Sequence, residues 1–269
     1  MGRTPRSARD ALVPLPKCKR HVDARPCAAM KLRLDRLIVD RGLADSREKA
    51  QALIMAGEVR VDGQKAQKPG HAVEADCSIE VLARPPYVSR GGLKLAAALH
   101  DFQIDVSGKI CLDIGASTGG FTDALLQSGA ARVHAVDVGS GQLVWSLRND
   151  PRVHLLEGIN ARELKPGDIG EPVDLITCDV SFISVTLILP AAVPLLRPGG
   201  QMVILIKPQF EVGKGQVGKG GIVREPELHQ AACEKVTQAV RQFGFDTAIM
   251  DSPILGAEGN KEFLLHVRP

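Results

Sequence analysis

The stretch Ile110-Cys111-Leu112-Asp113-Ile114-Gly115-Ala116-Ser117-Thr118-Gly119-Gly120-Phe121 most narrows the folds open to this chain. An apolar run of strand length opens into a loop holding three glycines, and a helical pattern starts at Gly120. Glycines in such a turn let the backbone reverse tightly and approach a ligand with no Cβ in the way. The same rhythm continues downstream. Strands are predicted at Arg132–Asp137, Val153–Glu157, Leu175–Asp179 and Met202–Ile206. Helices are predicted at Lys94–His100, from Gly120, near Gly141–Leu147, near Leu187–Leu196 and near Glu227–Phe243. Alternation of this kind implies an α/β fold with a Rossmann-like parallel sheet covered on both faces. Thr247–Met250 and Phe263–Val267 read as an added antiparallel pair.

The loop also constrains its ligand. Asp137 closes the next strand about 20 residues on, where an acid can accept hydrogen bonds from ribose hydroxyls. A dinucleotide loop would read G-x-G-x-x-G, whereas here Ala116-Ser117 separates the first glycine from Thr118-Gly119-Gly120. Asp113, just before the loop, is unfavourable beside a pyrophosphate and suited to a cationic ligand. S-adenosylmethionine carries an ammonium and a sulfonium and no phosphate. The loop therefore predicts a methyl donor rather than NAD, held by Asp113, Gly115, Ala116, Ser117, Gly119, Gly120, Phe121 and Asp137.

Ahead of this region lies a different pattern. From Leu34, an apolar face of Leu34, Leu37 and Ile38 opposes Arg33, Arg36 and Arg41, and Gly42 stops the helix. Asp45 or Ser46 can cap a second helix, with Glu48 completing a box from Asp45 and Ala50, Leu53 and Ile54 forming the buried stripe. Gly57 ends it, and Glu58–Gly63 reads as a short strand into an Asp-Gly turn, with another extended piece around Ile79–Val81. Pro85-Pro86 favours an extended backbone and marks a linker. The division expected is a disordered basic arm at 1–29, a small α+β domain at 30–84, a linker at 85–88 and the α/β domain at 89–269. Met30 offers a second translation start.

Composition excludes several classes. A net charge of +3 argues against a purely electrostatic nucleic-acid binder but allows local basic patches. Arg33, Arg36, Arg47, Lys49, Arg60 and Lys65 are candidates for phosphate contacts, which set register rather than sequence. One Tyr and one Trp argue against an extended base-stacking platform. Six cysteines without a C-x-x-C pair suggest neither zinc nor a disulfide framework and fit a reducing cytoplasm. Cys111 and Cys178 fall in apolar runs and read as small buried hydrophobes. Residues 175–196 have the length of a membrane span, but Asp179, Pro190 and Pro194 interrupt them. Gly213–Gly220 imitates a P-loop until Gly220 replaces the magnesium-binding Ser/Thr, and the next helix begins too late, so no NTP site is expected.

Asp179 and Lys207, the latter in Lys207-Pro208-Gln209-Phe210-Glu211, each end a strand and should meet at the mouth of the cleft. Methylating a ribose hydroxyl requires the oxygen to be oriented and its proton removed; a lysine whose ammonium is disfavoured by a nearby cation can serve. Arg33–Gly63 resembles the S4 RNA-binding fold. Ser89-Arg90-Gly91-Gly92-Leu93-Lys94, Asp113–Phe121, Asp179-Val180-Ser181-Phe182-Ile183-Ser184, Lys207–Glu211 and Gly259-Asn260-Lys261-Glu262 resemble the TlyA (hemolysin A) family.

That resemblance implies 2′-O-methylation of ribosomal RNA, at cytidine, from S-adenosylmethionine, on a sheet shared with FtsJ-like methyltransferases. It places a catalytic tetrad on Lys94, Asp179, Lys207 and Glu262. Lys207 would lie closest to the attacking oxygen, Asp179 and Glu262 would orient the lysines, and Lys94 would steer the ribose. Asp179 would also border the donor, and Arg90 would join the RNA-binding set. Asn160 stands where many methyltransferases place an acid near adenine. Ribosomal RNA or a ribosomal subunit is the implied partner, with no membrane, metal or NTP. A non-catalytic ribosome-assembly factor and a membrane-active hemolysin are the competing readings.

Overall fold

The computed structural model describes residues 31–44, 46–82, 86–256 and 259–269. The expected arm at 1–29, the capping role of Asp45 and the Pro85 half of the linker lie outside the described residues. The chain divides into two compact units, with the break between Arg84 and Pro85.

Among the described residues of the smaller unit, two helices, Leu34–Asp40 and Arg47–Ala56, accompany five short strands. The strands are β1 (Lys31–Arg33), β2 (Val59–Val61), β3 (Gln64–Lys65), β4 (Ala72–Glu74) and β5 (Ile79–Val81). β1 pairs with β4, and β3-β2-β5 form a second antiparallel sheet. Ser46 caps the second helix by accepting from the Lys49 N–H at 3.2 Å, and Gly57 ends it at φ 75°. Leu34, Leu37, Ile38, Ala50, Ile54 and Val59 make the core. Each larger aliphatic side chain so buried contributes roughly 1.5–3 kcal/mol.

Within that core sits a carboxylate. Asp35 is fully buried and accepts from Arg33 Nε (3.1 Å) and Nη2 (2.8 Å), Arg47 Nε (2.9 Å) and Gln51 Nε2 (2.9 Å). A buried charge is tolerable only when paired in this way. The Arg33 guanidinium beside it holds its carboxyl well below the usual carboxylate range, so its stabilisation is present above the unfolded pKa and lost in acid. Asp35→Ala should destabilise the smaller unit by about 2–4 kcal/mol, moderated because the half-exposed arginines can rehydrate. Denaturant unfolding of the full chain reads this out; an unmoved midpoint for the smaller unit would contradict it.

The larger unit is built on a sheet of β6 (Ile110–Ile114), β7 (Arg132–Asp137), β8 (Val153–Glu157), β9 (Val173–Cys178), β10 (Leu196–Ile206), β11 (Asp246–Asp251) and β12 (Phe263–Arg268). Their order is β11-β12-β10-β9-β6-β7-β8. β6 to β10 run parallel, while β12 lies antiparallel to both β10 and β11. Strand alternation sends Cys111, Val133, Ala135 and Val203 into one core and Leu112, Ile114, Val136, Ile176 and Ile204 into the other. Helices Gly91–Asp101 and Gly120–Gln127 bring Leu95, Ala98, Ala124 and Leu125 to the first; Pro226–Arg241 brings Ala232, Val236 and Val240 to the second. The chain steps outward from β6 to β8 and returns beyond β6 to β9. This reversal opens a crevice at the carboxyl ends of β6 and β9, the switch point where open α/β sheets bind ligands.

Two expected helices are much reduced. The segment near Gly141–Leu147 forms only the turn Trp145–Arg148. The segment near Leu187–Leu196 breaks into 3₁₀ turns at Val185–Leu187 and Val193–Leu195 around one α turn, Leu189–Ala192, because Pro190 and Pro194 supply no N–H to a continuous ladder. The apolar stretch 175–196 is thus strand, loop and short turns. No helix among the described residues is long and apolar enough to cross a membrane.

Candidate active site

The glycine loop is shaped by one close approach. Gly115 follows β6 at φ +87°, and a Cβ there would lie 2.3 Å from the backbone oxygen of Asp179, whose own N–H donates to Ile114 O at 2.9 Å. The loop and the end of β9 therefore touch backbone to backbone. The N–H groups of Gly115 and Ala116 both donate to Val136 O, at 2.8 and 3.1 Å. Asp137, ending β7, accepts from the N–H groups of Ser117 and Gly139, each at 2.7 Å. Ser117 adopts φ 48°, and its hydroxyl donates to Gln142 Oε1 at 3.1 Å. Gly119, at φ +100°, packs against Leu143 and Leu147; at Gly120 the missing Cβ admits Ser89 Oγ.

Around this loop lie two adjoining chambers. The larger, of about 460 Å³, is lined by Gly115, Ser117, Asp137, Asn160 and Asp179 and by apolar Val136, Val138, Ile159, Ile183 and Ile188. The smaller, of about 180 Å³, is lined by Ser89, Lys94, Ala116, Gly120, Phe121 and Lys207. Gly115, Ser117, Asp179 and Ser181 border both. Of the expected donor residues, Gly119 borders neither chamber and serves the turn. Asn160 caps the 3₁₀ turn Ala161–Glu163, accepting from the Arg162 N–H at 3.2 Å, while still facing the larger chamber.

Lys94, Asp179 and Lys207 line the smaller chamber, and Glu262, buried against Lys94, lies outside its lining. Lys207 Nζ lies 2.5 Å from Asp179 Oδ1 and donates to Ser181 Oγ at 2.9 Å. Lys94 Nζ donates to Glu262 Oε2 at 2.5 Å, with both residues buried; Gly256 makes room for the Glu262 carboxylate. Each lysine is thus held by its own acid.

Asp113 corrects one expectation. Its carboxylate does not face a ligand: it is fully buried, accepting from Thr122 Oγ1 at 2.7 Å and Thr177 Oγ1 at 2.9 Å. Strand alternation turns it into the sheet, beneath the loop that it precedes. Burial pushes its pKa up to about 6. The protonated acid is favoured in the folded state, so its contribution is greatest below about pH 4, declines as the pH rises, and levels off above about pH 6, a difference of ~3 kcal/mol. Asp113→Asn, whose amide can serve both threonine hydroxyls, should remove this slope. Melting temperatures of the two proteins should diverge in favour of the variant between pH 4 and 6.5; parallel curves would refute the assignment.

Cys111 and Cys178 are buried, and burial raises both thiols, Cys111 to about 12, as inert core groups require. The cationic candidates mostly have partners. Arg33 and Arg47 bind Asp35, Arg36 lies 3.7 Å from Asp40, and Arg90 donates to Leu255 O. Arg60 and Lys65 lie exposed, with Lys65 resting over Gly57, and Lys49 is exposed while keeping an interaction of its own. Arg41 instead ties the fold by donating to Cys77 O and Ala75 O at 2.7 and 2.8 Å.

Sequence reasoning missed Phe182. It is 92% exposed, holds φ 67° and meets the Phe210 ring at 5.4 Å. A bulky residue with positive φ is a strained exception, and no sequence pattern announces it. Val138, three-quarters exposed beside the larger chamber, was also missed.

A switch-point crevice, a glycine loop free of basic phosphate-binding side chains and two carboxylate-held lysines define a Rossmann-like transferase of the nucleoside-donor type. Residues 87–268 match the FtsJ-like methyltransferase family and residues 32–76 match the S4 domain. The chain belongs to the FtsJ-like methyltransferase family, with an S4 domain before the catalytic sheet. It is 49% identical over 243 residues to the 16S/23S rRNA (cytidine-2′-O)-methyltransferase TlyA of Mycobacterium tuberculosis, covering 89% of this chain and 91% of that one. It is 45% identical to hemolysin A of Brachyspira hyodysenteriae, covering 87% and 99%. A solved structure from Streptococcus thermophilus described as a hemolysin aligns with TM-score 0.68 at 46% identity, covering 90% of this chain and 89% of that one.

Proposed function

We propose that this protein transfers the methyl group of S-adenosylmethionine to the 2′-hydroxyl of a cytidine ribose in ribosomal RNA, with residues 30–84 as the RNA-docking domain and 85–88 as its linker. The observation that carries this reading is the convergence of Lys207–Asp179 and Lys94–Glu262 on a chamber continuous with a nucleoside-sized cavity. The lining suits a cationic nucleoside. Asp137 and Asp179 are acidic, Val138, Ile159 and Ile183 offer flat apolar walls, and Arg162, the one arginine there, reaches back to Asn160 Oδ1. Asp137 would take the ribose hydroxyls, Asn160 the adenine edge, and Gly115 to Ser117 the amino-acid portion. The bound donor would supply an electrophilic methyl on sulfur.

The chain's own residues then orient and activate the acceptor. Lys207, steered by Asp179 and Ser181, would present Nζ to the attacking 2′-oxygen and manage its proton. Lys94, held by buried Glu262, would fix the ribose. Holding both reactants in line can supply much of the acceleration, since effective molarities of 10⁵ M or more are available to well-oriented pairs. Arg33, Arg36, Arg47, Lys49, Arg60, Lys65 and Arg90 would contact phosphates. Incubating purified ribosomal subunits with the protein and methyl-labelled donor tests this: label should appear as 2′-O-methylcytidine in ribosomal RNA. Label confined to bases, or absent, would overturn the reading.

A further inference from the structure

We propose that Glu211 is a positioning residue that sets the Asp179–Lys207 pair by clamping together the two chain segments that carry it. The inference rests on the function proposed above.

Asp179 opens the loop 179–184 after β9, and Lys207 opens the segment 207–211 after β10. At the open end these segments are joined by the Lys207–Asp179 contact and the Lys207–Ser181 hydrogen bond. At the far end Glu211 joins them again. Its Oε1 accepts from the Val185 N–H at 2.8 Å, and its Oε2 accepts from Ser184 Oγ at 2.5 Å. Between the two ends, the Phe182 and Phe210 rings meet. The loop that borders both chambers is thereby closed into a ring.

Glu211 is only 6% exposed, and a buried carboxylate is costly unless its oxygens are matched by donors. Here they are matched by the opposing loop and by Lys235, whose Nζ lies 3.0 Å from Oε2 and donates to the Glu211 carbonyl at 2.8 Å. Lys235 belongs to the long helix Pro226–Arg241 and so ties the clamp to the core. A carboxylate using each oxygen on a different donor fixes angle as well as distance. The loop would otherwise relax from the left-handed φ at Phe182, carrying Ser181 and Asp179 away from Lys207.

The test uses the full chain with Glu211→Ala, which removes both loop bonds. The expected result is a 10- to 100-fold lower kcat for methyl transfer, the loss associated with misplacement of about 1 Å. Donor Kd and KM for ribosomal subunits should stay within about threefold. Amide exchange at Val185 and through the loop should quicken about tenfold or more, with cooperative unfolding of the larger unit retained. Ser184→Ala, a milder change that folds more readily, should show the same pattern at about 3- to 10-fold. Wild-type kcat in a folded Glu211→Ala protein, or a loss confined to donor Kd or KM, would overturn the clamp. So would unchanged loop exchange. An inactive wild-type chain would instead overturn the proposed activity, and exchange would still decide the clamp independently.

Discussion

Lys207→Ala should lower methyl transfer by roughly 10³-fold while donor and RNA binding change little, the range expected when a charged group that positions and stabilises the attacking oxygen is removed. Lys207 borders the smaller chamber, and the larger chamber is complete without it. Its removal frees Asp179, which then faces the acceptor as an unneutralised carboxylate. Lys207→Arg should not rescue, since the planar guanidinium fork cannot put a compact charge where Nζ sits between Asp179 and Ser181. Single-turnover kinetics with saturating donor isolate the chemical step. A Lys207→Ala rate near wild type would remove this residue from the mechanism.

The second large effect belongs to Gly115→Ala. A methyl group there would meet the Asp179 carbonyl at 2.3 Å, against backbone that cannot swing aside, and the φ of +87° is itself costly for alanine. Strain at such a position is of order 1–3 kcal/mol, and the collision adds to it. Relief requires the end of β9 to separate from the end of β6. That moves Asp179 from Lys207 and opens both chambers together. We expect destabilisation of about 3 kcal/mol and loss of donor binding by 100-fold or more, read by calorimetry. Gly141→Ala is the control: it also has positive φ but nothing within 4 Å, and it should cost stability without harming the donor site.

Much of the framework was legible because it rests on local periodicity. The apolar runs ending at Ile114, Asp137 and Glu157 match β6, β7 and β8, since a buried parallel strand is a continuous apolar segment bounded by turn residues. Helices failed where propensity was weak or proline intervened, as at residues 141–147 and 187–196. Within the site, the residue types were readable but their environments were not. Asp113 and Asp137 both sit at the ends of apolar runs. One is sealed against two threonines and the other is turned toward the chamber; both face the same side of the sheet, but Asp113 pairs with Ala135, so Asp137 lies two residues farther toward the carboxyl ends of the strands, where the crevice opens.

By itself the sequence determined the two-part organisation, the order of the parallel strands' elements and the glycine loop, because each depends on residues near one another in the chain. The strand ends also brought Asp179 and Lys207 together in the sequence, while only the tertiary structure decided the pairing of Lys94 with Glu262, 168 residues away, and the hydrogen bond from Lys207 to Ser181. It also decided the burial of Asp113 and the grip of Glu211 on Ser184 and Val185. A carboxylate's partner and dielectric are set by which strands lie side by side, and β9 takes its place beside β6 only when the whole sheet has formed.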